Sequence, residues 1–199
     1  MKRIIFLTCF LCFYFTMQAQ FITENTAIGV SFSGLGDNTA FHWETLVGAG
    51  GYSSRGYHSF GITYIRPLSN KFHLETGVEY SKYTYRFSNS SLGPENVPHN
   101  AYLSLIEIPI TARFNFCQYF FLNGGLLLDF DITEDKHLDN QTGIGTMLGI
   151  GVKYNFKKIP VGLFVNPYVK YRPLIPFTKE KYHLRTMDSG FRIGVVYNW

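Results

Sequence analysis

From Phe191 onward, Phe191, Ile193, Val195, Tyr197 and Trp199 alternate with Arg192, Gly194, Val196 and Asn198. A repeat of two puts successive side chains on opposite faces of an extended chain, so this stretch reads as a β-strand with two unlike faces. The same alternation predicts strands over Asn25–Ser33, Tyr57–Arg66, Phe72–Phe87, Tyr102–Phe116, Tyr119–Ile132, Gly143–Phe156, Val161–Arg172 and Ser189–Trp199. No helical period appears between them. The connections alternate in length. Pro67–Lys71, Cys117–Gln118 and Lys157–Pro160 are tight; Gly34–Gly56, Ser88–Ala101, Thr133–Thr142 and Pro173–Asp188 are longer and polar or Gly-rich. Such a pattern predicts an antiparallel up-and-down barrel whose short-turn rim holds both termini.

Alternation alone does not say which face is inside. One face carries Ile28, Val30, Phe32, Phe60, Ile62, Leu74, Val78, Ile106, Ile108, Ile110, Phe114, Leu122, Leu126, Leu128, Leu148, Ile150, Val152, Val161, Leu163, Val165, Val169 and the C-terminal series. The other carries Gly29, Gly61, Gly77, Gly125, Gly145, Gly149, Gly151, Gly162 and Gly194, joined by charges. Glycine weakens a solvated strand, but the inside of a narrow barrel has room for few side chains, so small residues must alternate with large ones there. The assignment is therefore polar inside and apolar outside. A soluble ligand-binding barrel would have the reverse. The expected fold class is all-β, an eight-stranded antiparallel transmembrane up-and-down β-barrel.

The inward charges are Glu75, Glu79, Glu107, Asp129 and Asp131 against Arg113, Lys153, Lys170, Arg172 and Arg192. Ten buried charges are tolerated only if paired, and their equal signs predict an interior ion-pair network rather than a water-filled pore. Strand register puts Glu75 and Arg113 at similar depth and predicts that they pair. Aromatic residues should mark the rims. Tyr64, Phe72, Phe116, Tyr119, Phe120, Tyr154, Phe156, Tyr197 and Trp199 lie by the short turns, and Tyr80, Phe130 and Tyr171 toward the long loops. Lys82 and Arg86 have outward parity but stand at the loop end of a long strand, where they can clear the hydrocarbon or snorkel. Pro109 lacks the N–H that a central strand needs, so a bulge or distortion is expected near Glu107–Pro109.

The first residues fit a secretory signal. Lys2 and Arg3 precede the apolar Ile4–Met17, and Met17-Gln18-Ala19 is an acceptable cleavage site, giving residues 1–19 as signal peptide and 20–199 as the barrel domain. Cys9 and Cys12 fall in the signal, leaving Cys117 without a disulfide partner in the mature chain. Charged residues make up only 16% of the chain and aromatics 18%, against the roughly 25% charge of ordinary globular proteins. The net charge of +4 carries no clustered basic run, so no nucleic-acid partner is expected.

The segment IEIPITARFNF, Ile106 to Phe116, resembles the corresponding strand of the PorT-like outer-membrane β-barrel family of Bacteroidota. YFFLNGGLLLDF and GIGTMLGIGVKYNF resemble the Gly-bearing strands that follow, and FRIGVVYNW its closing strand. The resemblance implies an eight-stranded barrel in the bacterial outer membrane, surrounded by outer-membrane lipids. It further implies that Phe191, Ile193, Val195, Tyr197 and Trp199 form the C-terminal signal read by the outer-membrane insertion machinery. Some members act in protein secretion. An envelope protein partner is expected, unnamed by the sequence.

No catalytic constellation is evident. His42, His58, His99, His137 and His183 fall in or near the long loops, and Asp37, Ser53 and Ser54 share the first, but no spacing brings a nucleophile to a base. Asp129, Asp131, Glu134 and Asp135 lack the order of a calcium loop. The glycines follow no phosphate-binding pattern. No catalytic, cofactor-binding or metal residue is therefore assigned. Three function classes stay open: a structural, interaction or secretion-associated barrel, a narrow solute channel, and a rim-site enzyme. A filled lumen favours the first.

Overall fold

The computed structural model describes residues 25–41, 51–88, 99–134, 138–178 and 183–199; the expected signal segment lies outside them. Eight strands follow in order: β1 (Ala27–Phe41), β2 (Gly51–Pro67), β3 (Phe72–Ser88), β4 (His99–Phe116), β5 (Phe120–Asp131), β6 (Gly143–Asn155), β7 (Val161–Pro176) and β8 (Arg185–Asn198). Each pairs antiparallel with the next, and β8 returns to β1, closing the barrel. The chain is an all-β, eight-stranded, antiparallel closed barrel, with no free sheet edge at its terminal strands.

The strands run further toward the long loops than the alternation predicts. Gly34–Phe41, Gly51–Gly56 and Arg185–Asp188 belong to β1, β2 and β8, so the first long connection is much shorter than Gly34–Gly56. On β1 the cause is a change of phase. Ser31 and Ser33 face inward on β1, but beyond Leu35 and Gly36 the buried positions become Asn38 and Ala40. The register with β8 shifts between Gly34 and Asp37, where Leu35 takes a positive φ of 52°. A bulge of this kind interrupts the parity on which a period-two reading depends. A second register shift, between Ser54 and Tyr57, affects β2 against β3.

Pro109 produces a gap rather than a bulge. β3 and β4 pair up to Thr76↔Ile110 and resume at Glu79↔Glu107 with the register unchanged. On its other side Pro109 stays paired with Leu127. Pro167 behaves alike: β6–β7 pairing stops at Val152↔Val165 and resumes at Gly149↔Tyr168. A missing donor costs one ladder bond and leaves the count of residues intact, so the strands need not slip.

The expected polarity of the two faces is present. Ile62, Leu148, Ile150 and Phe191 are about half exposed on the outside, whereas Glu75, Glu107 and Arg172 are 0% exposed inside. At the short-turn rim the outer aromatics form contacts: Phe72–Phe114 at 4.9 Å between ring centroids, Phe116–Phe120 at 6.0 Å, Tyr119–Tyr154 at 6.2 Å and Tyr64–Trp199 at 6.4 Å. A strand needs about 9–11 residues to cross a bilayer. These have 12 to 18, and the surplus projects toward the long loops.

Candidate functional site

The lumen is filled in layers. Ala27, Ile65, Phe121, Phe164 and Val196 form an apolar layer at the short-turn end. Toward the long loops, Tyr57, Tyr83, Tyr85, Leu103, Leu105, Leu127, Met147 and Tyr168 form another. Glu75, Arg113 and Arg192 lie just beyond the first layer, whereas Asp129, Lys170 and Arg172 are interleaved with the second. Buried acids are Glu75, Glu79, Glu107, Asp129 and Asp188; buried bases are Arg113, Lys153, Lys170, Arg172 and Arg192. Acid and base numbers again match, but with Asp188 in the place given to Asp131.

Register explains the larger cluster. Glu79 on β3 lies opposite Glu107 on β4, which lies opposite Asp129 on β5, so three carboxylates form one rung. Like charges directly opposed repel, and the rung persists because two cations reach it from across the lumen. Lys170 Nζ of β7 bridges Glu79 at 3.1 Å and Glu107 at 2.7 Å. Arg172, two residues on, bridges Glu107 at 3.3 Å, Asp129 at 3.6 Å and Asp188 of β8 at 2.7 Å. It also donates to Tyr83 Oη at 2.6 Å, and Tyr83 donates to Glu107 at 3.2 Å. Ser33 donates to Glu79 at 3.3 Å.

A second cluster lies nearer the short turns. Glu75 takes Arg113 at 3.4 Å, the pairing expected from strand register, and also Arg192 of β8 from across the barrel. Arg192 donates to Asn166 at 3.2 Å. The Arg113 guanidinium lies 3.5 Å from the centroid of the Phe121 ring, a desolvated cation–π contact. Lys153 lines a small recess at the short-turn mouth with His73, Arg113 and Asn155. Both clusters tie strands that are not neighbours, so they act as cross-braces in addition to the ladders.

Asp131 is not in the lumen network. At the end of β5 it is half-buried, and its carboxylate accepts from Thr133 N at 2.9 Å, Thr133 Oγ1 at 2.5 Å and Gln141 N at 2.9 Å. Its task is to shape the β5–β6 connection. There Gln141, fully buried, donates to Leu184 O at 2.9 Å, and Asp139 accepts from Leu184 N at 2.8 Å. Asp188 went unassigned because Pro173–Asp188 reads as loop. Its parity, however, matches that of Arg192, Gly194 and Val196, a signal that could have placed it.

The C-terminal series Phe191, Ile193, Val195, Tyr197 and Trp199 faces outward on β8, and Trp199 N donates to Thr26 O at 3.0 Å. His58 also faces outward on β2. Ser54 Oγ bonds Asn38 Oδ1 at 2.5 Å and accepts from Gly56 N. His42 and His137 lie outside the described residues, as does Asp135. Among the described residues no group of three or more His, Cys, Asp or Glu is placed to hold a metal ion.

A double-mutant cycle reads the smaller cluster. Because Glu75 serves two arginines, Glu75→Gln should cost more stability than Arg113→Met. The double variant should lose less than the sum of the two by about 0.5–3 kcal/mol. Urea unfolding of the refolded barrel measures all three, and additive losses would remove the pairing from the energetics.

No family model matches the chain, and no curated protein matches it. Among solved structures it is similar to the outer membrane protein OprG from Pseudomonas aeruginosa, at 11% identity, with a TM-score of 0.47 over 88% of this chain and 96% of that one. It is also similar to the translocator domain of the autotransporter NalP from Neisseria meningitidis, at 10% identity and a TM-score of 0.37, covering 89% of each chain.

Proposed function

We propose that this chain is a small bacterial outer-membrane barrel whose lumen is closed by its own side chains. It acts as a structural, interaction or secretion-associated protein through its loops and turns, and carries no catalytic site. The reading is supported above all by one arrangement: an apolar exterior of Leu, Ile, Val and Phe around a cross-braced, charge-balanced interior. Water cannot satisfy an exposed band of that kind, but lipid can, and a closed barrel is the strand architecture that leaves no backbone group unpaired in hydrocarbon. An eight-stranded lumen is wide enough only to be filled by side chains. The segments from Ile106 to Phe156 favour membership of the PorT-like group. An envelope protein that engages the loops or the periplasmic turns is the expected partner.

The reconstituted protein should stay with membranes after a carbonate wash, change gel mobility on boiling, and give no steady conductance in planar bilayers. Recovery as a soluble protein would end the membrane reading. A stable open level would replace the closed barrel with a narrow solute channel. Cross-linking in intact cells then identifies the partner.

A further inference from the structure

Among the described residues, the outward face of β2–β4 beyond the apolar belt carries a group of bases on the long-loop side, as Arg66, Lys71, Lys157 and Lys158 do at the short-turn rim. Phe60, Tyr80 and Ile106 stand on one rung of these strands. The next outward rung toward the long loops is His58, Lys82 and Ser104. Arg86 follows on β3, exposed, opposite Ser53 and Asn100. Arg55 is exposed on β2. His58 and Lys82 follow directly on the rung of Phe60 and Tyr80, with exposed Tyr102 beside Lys82.

Among the described residues of these strands, no acid is exposed beside those bases. Their acids, Glu75, Glu79 and Glu107, are all buried in the lumen. Two exposed acids lie on the flanking elements: Asp37 of β1, whose carboxylate accepts from Asn38 N at 2.8 Å, and Glu134, which follows the Thr133 that Ser104 N bonds at 3.0 Å. Lys82 Nζ lies 5.5 Å from the Tyr102 ring centroid, which orients the ammonium without supplying an anion. Directly opposed side chains such as His58 and Lys82 have Cβ atoms only about 5 Å apart, and an anion between them offsets the repulsion when both are charged. Lys82 and Arg86 are four residues apart, about 13 Å along an extended strand, so two separate anions are within reach. Elsewhere on the long-loop side the arrangement differs. Arg185, the outward base at the start of β8, already donates to Pro173 O at 2.8 Å and Tyr171 Oη at 3.3 Å. Apolar Leu174, Ile175 and Phe177 carry the exterior of β7 further toward the loops.

We infer that His58, Lys82 and Arg86 bind phosphate groups of outer-leaflet lipids and so hold the β2–β4 side at a fixed height in the membrane. This rests on the membrane reading above. Aromatic rings at the hydrocarbon boundary and cations just beyond it match the order of acyl chain, glycerol region and phosphate in a leaflet. Guanidinium forks and ammonium points both recognise phosphate oxygens.

The test uses the refolded full barrel in vesicles of phosphatidylcholine, with and without a minor fraction of phosphatidic acid, whose headgroup is a phosphate monoester. After detergent extraction, mass spectrometry counts the lipids that stay bound. Each cation near an anionic lipid surface contributes about 1 kcal/mol, roughly fivefold in affinity. Wild type should therefore retain phosphatidic acid well above its bulk fraction. Lys82→Gln/Arg86→Gln should lower that enrichment roughly twenty-fold and leave heat-modifiable gel mobility unchanged. Equal enrichment in wild type and the double variant overturns the inference, as does equal competition by inorganic phosphate and by lipid phosphate. Failure of the wild type to enter neutral vesicles overturns the membrane reading and this one with it. Entry without enrichment overturns this one alone.

Discussion

Arg172→Met is expected to lower the unfolding free energy of the barrel by about 3–5 kcal/mol, the usual cost of breaking a buried pair by removing one partner. The loss comes from what remains. Glu107, Asp129 and Asp188 converge on that guanidinium, and only Lys170, already shared between Glu79 and Glu107, is left to balance them. Arg172→Lys should recover little, because one ammonium cannot reproduce a planar fork that reaches three carboxylates and Tyr83. Adding Glu107→Gln and Asp188→Asn to Arg172→Met should restore part of the stability, since it removes the stranded charges. Urea titration in micelles, followed by tryptophan emission, measures each variant. A loss below 1 kcal/mol for Arg172→Met would show that solvent reaches the network and that the lumen is not sealed.

The second large effect is expected at Phe121. Its ring fills the space left by Gly151, where an added Cβ would stand 2.2 Å from the ring, and it also meets Phe164 edge-on and caps Arg113. Phe121→Ala should cost about 3–5 kcal/mol, the range for a buried phenylalanine. Gly151→Val alone should also destabilise, by about 1–3 kcal/mol, because it overfills the same volume. Combined with Phe121→Ala it should give back part of the loss, a sign reversal that only two residues sharing one volume produce. Refolded fractions and urea midpoints of the four proteins supply the readout. Simple additivity would mean that the ring has another place to go.

Parity made most of this legible. Inward glycine and charge, outward Leu, Ile, Val and Phe, and even the Glu75–Arg113 pair follow from counting in twos. What escaped did so for identifiable reasons. The bulge at Leu35–Gly36 reversed the phase of β1, so an in-register strand looked like a polar loop. Asp188 was hidden inside such a segment, whereas Asp131, with the right parity, sits too near the rim to reach the cations. Pro109 reads as a misfit in a central strand, but a gap in hydrogen bonding and a slipped register look alike in one dimension. Glycine also carries two meanings that sequence does not separate. Gly151 and Gly194 make room for the rings of Phe121 and Phe164. Gly77 instead lies where a Cβ would meet a backbone oxygen, that of Ile62, at 2.0 Å. The loops' role is not written in periodicity, because recognition surfaces obey no repeat.

The bulge on β1 has one further effect. Pairing between β1 and β8 extends from Ala27↔Asn198 to Phe41↔Arg185, whereas pairing between β1 and β2 ends at Ser33↔Ser59. Beyond that rung the first hairpin is joined by side chains, as where Ser54 reaches Asn38. The join between the two ends of the chain is thus the more continuous one, and the weaker line runs inside a hairpin made of neighbours in sequence. Under lateral pressure the ring would part first along this line, on the loop side, while its termini stay fastened.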